Sequence, residues 1–206
     1  MKAFLRALIV LVIVAAAIGA MLAYSIARRG LSTRTPPTAA EEIVARAMRR
    51  AATPAPVRSR TNPVEASDAV IAEGLEHFAD HCAVCHANSG SGDTEIGRSL
   101  YPRAPDMRLA QTQQLSDGEL FSIIENGVRL TGMPAWGNGT PEGERASWAL
   151  VHFIRRLPRL TEDEIGRMEA LNPKTAEEWR QDEEARRFLA GDDAKPAPAP
   201  AKPHKH

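Results

Sequence analysis

The feature that most constrains this 206-residue chain is an uncharged run near its start. Residues 7–27 read ALIVLVIVAAAIGAMLAYSIA, with no charged side chain in 21 positions. In lipid such a stretch satisfies its own backbone only as a helix. At about 1.5 Å per residue it reaches roughly 30 Å, the thickness of a bilayer's hydrocarbon core. A cleavable signal peptide has a shorter apolar centre, of roughly 7–15 residues. No clean Ala-x-Ala site precedes Arg28 either. The expectation is an uncleaved single-pass anchor over residues 1–28, with a signal sequence as the alternative. Charge does not orient it. Lys2 and Arg6 precede the run, and Arg28, Arg29 and Arg34 follow it, so the positive-inside count does not favour a cytoplasmic N-terminus.

Formal net charge is zero, which gives no global argument for nucleic acid or an acidic substrate, and no nucleic-acid partner is expected. The balance hides an asymmetry. Residues 28–64 hold eight arginines against Glu41 and Glu42, whereas residues 162–193 hold eleven acidic residues against five basic ones. Blocks of like charge are usually solvated, and they also steer partners. Aromatic residues are only 5% of the chain, so one compact unit with polar extensions is expected.

Residues 29–65 read as a flexible linker rich in Pro, Ala and Arg, with room for a short helix near Glu41–Arg50. Pro36, Pro37, Pro54, Pro56 and Pro63 interrupt anything longer. A tether of that length has an r.m.s. reach of roughly 30–35 Å. From Ser67 the pattern turns helical: Val70, Ile71, Leu75 and Phe78 form an apolar stripe ending near His81. Ser116 and Glu119 form a capping box for a second helix, with Gly127 as its stop. A third spans about 144–157, with Trp148, Val151, Phe153 and Ile154 inward. About 30 residues rich in Gly and Pro separate the first two helices. An irregular loop of that length in a small domain implies something for it to wrap. Capping boxes at Thr161/Glu164 and Thr175/Glu178, with Gly191 as a stop, predict an acidic helical extension over 161–191. Residues 192–206 have the composition of a disordered tail. No segment alternates like a strand, so the fold class is all-α.

The chain's two cysteines lie in Cys82-Ala-Val-Cys85-His86. Two thiols three positions apart, followed by an imidazole, suit covalent attachment of one haem c: each thiol meets a vinyl group and the histidine faces the iron. A thioredoxin-type pair would need a strand before it and a helix after it, but here a helix precedes and a Gly/Ser loop follows. A zinc site would need a second Cys/His pair, and no other cysteine exists. For a second iron ligand the methionines are the source. Met1 and Met21 belong to the apolar segment, Met48 to the linker, and Met168 to a C-terminal helix beyond the apparent core. Met107 and Met133 remain. Met133 is preferred because it sits in Thr-Gly-Met-Pro-Ala-Trp, a turn stiffened by Pro134; core packing is the alternative for either. His77 and His81 are one helical turn apart and are expected to face solvent or a haem propionate. His152 reads as structural or exposed, and His204 and His206, only two histidines on a tail, are not expected to form a metal site, with a stray metal as the alternative.

With these residues in view, the chain resembles the class I monohaem cytochromes c of bacteria over residues 66–160. The resemblance rests on Gly74 and Phe78 before the haem motif, on Cys82, Cys85 and His86, and on Pro102 and Pro105-Asp106. It extends to Gly132-Met133-Pro134-Ala135-Trp136 and to the final helix from Trp148. It implies a helical domain whose first and last helices cross, with Gly74 against Trp148 or Phe153. Ala87 departs from the pattern, standing where many members have Gly. The resemblance also implies export, because bacterial haem attachment works on the periplasmic face. That places the N-terminus inside and the haem domain outside the inner membrane, overriding the charge count. The expected role is a membrane-anchored electron carrier with a His/Met-ligated iron, exchanging single electrons with a redox protein donor and acceptor. It is expected to be no enzyme itself. The alternatives are a haem subunit of a larger oxidoreductase and, further off, a haem sensor or peroxidase-like enzyme.

Overall fold

The computed structural model describes residues 2–30, 32–174 and 176–189, and every element among them is helical. The expected tail at 192–206 with His204 and His206, the cap residue Thr175 and the stop Gly191 lie outside the described residues. Helix α1 runs Lys2–Arg29. Its segment Ala3–Arg28 is long and apolar enough to cross a membrane, and none of it is buried against the rest of the chain. That suits a single-pass anchor or a signal sequence alike.

Helix α2, Ala39–Ala52, starts at a capping box between Thr38 and Glu41, and α3, Ala55–Arg58, follows with Pro56 in its first turn. Both lie in the stretch read as linker, and its last part is not free chain. The Arg60 guanidinium stacks over the rings of Phe121 and Trp148, 4.6 and 5.2 Å from their centroids. Asn62 Nδ2 donates to the Trp148 carbonyl (2.9 Å), and the Val64 carbonyl lies 2.7 Å from His152 Nε2. The proline count suggested flexibility, but ring stacking and backbone hydrogen bonds fasten residues 57–64 to the core. His152 is accordingly structural.

Helix α4, Asp68–His77, begins at the Ser67 N-cap. It passes without a break through a π-helical stretch, Phe78–Cys82, into α5, Ala83–His86. The loop beyond holds two short turns, α6 (Glu95–Ser99) and α7 (Ala110–Gln113). Helix α8, Asp117–Asn126, has the expected Ser116/Glu119 capping box and ends at Gly127 (φ 63°). Helix α9, Pro141–Arg156, starts three residues earlier than the sequence suggested, because Thr140 caps it and Pro141 fits a first helical position, where no N–H is needed.

The core is the crossing of α4 and α9. A side chain on Gly74 would sit 2.4 Å from the Ala149 carbonyl oxygen and 2.8 Å from Phe153 Cβ, so only glycine lets the backbones approach this closely. One turn on, Phe78 packs against Phe153 with ring centroids 5.2 Å apart. Trp148 stacks on Phe121 of α8 at 4.1 Å. Arg155 ties the same corner together, donating to the Gln113 and Leu115 carbonyls and to Asp117. Helix α10, Glu162–Leu171, has the Thr161/Glu164 capping box, and α11 spans Ala176–Leu189. One expectation is corrected here. Met168 was read as lying beyond the core, yet it is fully buried within the main apolar cluster. Apart from Ile165, half-buried beside it, and the exposed Leu171 at its end, it is the only large apolar residue on an acidic helix, and that helix closes over the Phe78–Cys82 stretch.

Candidate haem-attachment site

Cys82, Cys85 and His86 stand at i, i+3 and i+4 along a helical segment, which places all three on one face. The π-helical residues before Cys82 widen the turn that feeds this face, a form often found at functional sites. Both thiols are half-buried and unpaired. Burial, with the neighbouring Cys85, pushes the Cys82 thiol up to about 12, and burial raises Cys85 as well. Redox-active C-x-x-C pairs need the opposite, a thiol held below its usual range.

The His86 imidazole is buried, 6.5 Å from the Phe78 ring between centroids. Burial lowers its pKa, and the nearby Pro105 carbonyl opposes that. Its Nδ1 is buried and has no aligned hydrogen-bond partner. A histidine that binds a metal through one nitrogen commonly donates its other N–H to a carbonyl or carboxylate. Pro105 is the carbonyl positioned for that.

The long loop after His86 folds back to satisfy the carbonyls that a helix end leaves open. Ala87 N–H donates to the Ala83 carbonyl at 2.8 Å, Thr94 Oγ1 to Cys85 (3.2 Å), and Gly92 N–H to His86 (2.8 Å). Gly97 lies so close that a side chain there would meet the Cys85 carbonyl at 2.2 Å. Ala87 carries φ 59° and ψ 157°, a region that is essentially glycine's. The departure noted in the sequence therefore leaves the turn's shape intact and stores strain in it instead.

Met133 lies in the loop from Gly127 to Gly137, which turns back on the end of α8. Val128 N–H donates to the Met133 carbonyl (3.1 Å), Met133 N–H to Thr131 Oγ1 (3.1 Å), and Trp136 N–H to Ile124 (3.0 Å). Met133 is half-buried. One contact joins this loop to the Cys–His segment and a second joins it to the loop after His86. The Trp136 ring meets His81 edge-on with centroids 5.2 Å apart. Leu100, from the loop after His86, lies where a side chain on Gly132 would be, at 2.5 Å. His77 and His81 are themselves 4.9 Å apart in an edge contact. His81 Nδ1 is 3.1 Å from Asp80 but not aligned for a hydrogen bond. Met107, the other methionine considered, packs against the core cluster and gives its N–H to Gly90 and its carbonyl to Gln113.

The residues fit a haem. Two thiols and an imidazole share one helical face, the imidazole is buried with an unpartnered nitrogen near the Pro105 carbonyl, and several apolar side chains on this segment and its loops stand open. Val84 is 52% exposed, Ile96 48% and Leu130 88%. Among the described residues no group of three or more His, Cys, Asp or Glu converges to hold a bare metal ion. His81, through Trp136, links the Cys–His segment to the Gly127–Gly137 loop; the four-residue spacing of His77 and His81 is visible in the sequence, but the ring across from His81 is not.

The crossed helices, the loop and the C-x-x-C-H face define a c-type monohaem cytochrome domain, which binds haem c covalently and works in haem-based electron transfer. Residues 69–154 match the family model described as cytochrome c oxidase, cbb3-type, subunit III. The match covers the segment from the first turn of α4 to the last turn of α9.

Proposed function

We propose that this protein is a membrane-anchored periplasmic electron carrier whose haem is held by Cys82 and Cys85, with His86 and Met133 as the two iron ligands. The observation that carries the reading is the His81–Trp136 contact, which brings the methionine loop against the segment that holds the histidine, with Leu100 of the loop after His86 packed against Gly132 beside it. Haem c supplies a one-electron iron couple. The protein's residues set its terms. Cys82 and Cys85 fix the ring's orientation, and His86 is oriented by Pro105. The Met133 thioether favours ferrous iron and so raises the potential relative to a second histidine. With His86 and Met133 both holding the iron, it would offer no vacant ligand position to oxygen or peroxide, which would suit electron transfer rather than turnover there.

In this reading residues 1–28 are the anchor, 66–160 the haem domain, and 161–191 an acidic extension that packs on it through Met168. The donor and acceptor are redox proteins at the same membrane. A second reading, a fixed haem subunit of a larger oxidase, is favoured by the family description itself. Mild-detergent extraction separates them. A carrier purifies alone and is rapidly reduced and reoxidised by added partners. A subunit brings a catalytic chain with it in constant ratio, and that result would overturn the carrier reading.

A further inference from the structure

Helix α2 has a two-sided pattern, with Glu41 at one edge of its apolar arc accepting a hydrogen bond from Tyr101 Oη of the haem domain (3.1 Å). At 100° per residue, Ile43, Ala47, Ala40, Ala51, Val44 and Met48 fall on one arc, and Arg49, Glu42, Arg46 and Arg50 on the other. No residue of α2 is buried; Ile43 and Met48 are each 62% exposed and Val44 56%. The charged arc faces a cavity of about 480 Å³ lined by Arg46, Arg49, Arg50 and Arg58 with Gln111 and Gln114 of the haem domain. Arg46 pairs with Glu42 at 3.2 Å, and Arg58 donates to the Arg50 and Thr53 carbonyls, closing the end of α2. Arg49 and Arg50 form no ion pair with a described carboxylate. Glu119, also at the cavity, is engaged in the α8 cap, 2.9 Å from Ser116 N.

The position along the chain matters as much as the pattern. Ten peptide steps separate the end of α1 at Arg29 from the start of α2 at Ala39, which limits the gap to roughly 35 Å. An amphipathic helix with apolar residues on one side, Arg50 at their edge and further arginines on the polar side, held beside a membrane span, has the chemistry of a helix lying in the bilayer interface. Basic residues next to a span attract anionic headgroups.

We propose that α2 lies along an anionic phospholipid surface, with Ile43, Val44 and Met48 sunk among the lipids and Arg50, at the edge of the apolar arc, on headgroup phosphates. The proposal rests on the reading of α1 as a retained anchor. The haem domain, fastened to residues 57–64, then rides at a set height above the membrane instead of swinging on a free tether.

The test uses the full-length holoprotein, in which thioether bonds occupy both native cysteines. Nitroxide labels go on Val44→Cys, on Met48→Cys and on Arg46→Cys, each in vesicles of phosphatidylcholine with phosphatidylglycerol and in phosphatidylcholine alone. The ratio of collisions with oxygen to collisions with an aqueous nickel chelate should be severalfold higher at Val44→Cys and Met48→Cys than at Arg46→Cys. Arg50→Gln should shrink that difference in the anionic vesicles. Equal accessibility at all three positions in anionic vesicles overturns the proposal. So does shielding of the apolar-face labels from both reagents, which would mark a protein occupant. Intact mass reports separately on the anchor. If residues before Gly30 are missing, the anchor reading fails alone. The processed protein should then still sediment with anionic vesicles and not with neutral ones, and no sedimentation overturns the inference.

Discussion

The two sides of the site are built differently. His86 sits at the end of a continuous helical segment, Asp68–His86, whose first part is pressed against α9 backbone to backbone. Met133 sits on a turn held by its own hydrogen bonds with Val128 and Thr131, and by the Trp136 N–H on the Ile124 carbonyl at the end of α8. Two glycines show the contrast. An added Cβ would meet its neighbour at 2.4 Å at Gly74 and at 2.5 Å at Gly132, nearly the same gap. At Gly74 the neighbour is the Ala149 carbonyl, which cannot move without shifting a helix. At Gly132 it is the tip of Leu100, a side chain that can turn. The histidine side is fixed by packing, and the methionine side by a few hydrogen bonds. In the proposed reading the first side holds the haem and the second tunes it.

The largest expected effect breaks the packed side. Gly74→Ala should destabilise the holoprotein by about 3 kcal/mol, at the upper end of ordinary overpacking costs, as read from denaturant midpoints. Gly132→Ala should cost under about 1 kcal/mol by the same measurement, since Leu100 has rotamers to spare. Equal losses would remove the contrast. On covalent attachment, Cys82→Ala should weaken or abolish the haem stain of the protein band in a denaturing gel, whereas Met133→Ala should leave it intact.

A smaller change sharpens the histidine side. Ala87→Gly should stabilise the protein by about 1 kcal/mol, because it relieves a conformation that costs a non-glycine residue roughly 1–3 kcal/mol and forfeits some chain entropy in exchange. The smallest effect lies at the α10 cap. Burial raises the Glu164 carboxyl pKa, but the Thr161 N–H and hydroxyl and the Arg156 guanidinium outweigh it and hold the pKa below its usual value. A depressed carboxyl contributes stability above its unfolded pKa and loses it as pH falls through the folded one. Glu164→Gln should therefore cost about 0.5–1 kcal/mol at neutral pH, with the difference from the parent protein vanishing in acid.

Much of the fold was legible because it is written locally. Ser116 with Glu119 and Thr161 with Glu164 are recognisable capping boxes, and the C-x-x-C-H spacing needs no tertiary information. What stayed hidden depends on distant partners. Arg60 counts as one more arginine in a basic linker until Phe121 and Trp148 supply the rings it stacks on. Met168 looks like a stray apolar residue on an acidic helix until the Phe78–Cys82 stretch leaves it a pocket. The π-helical turn has no sequence signature at all. The long loop was foreseen as a wrapping element, but its anchors, Thr94 on Cys85 and Gly92 on His86, could be read only from the fold.

The central claim is that Met133 completes the iron's coordination opposite His86. It is tested most directly by the absorption spectrum of the purified parent protein and of Met133→Ala, in the oxidised state and, with carbon monoxide, in the reduced state. The account predicts a sulfur–iron charge-transfer band in the parent and no carbon monoxide binding. In the variant the band should vanish, carbon monoxide should bind, and the reduction potential should fall. An unchanged band and an unchanged potential in Met133→Ala would contradict it.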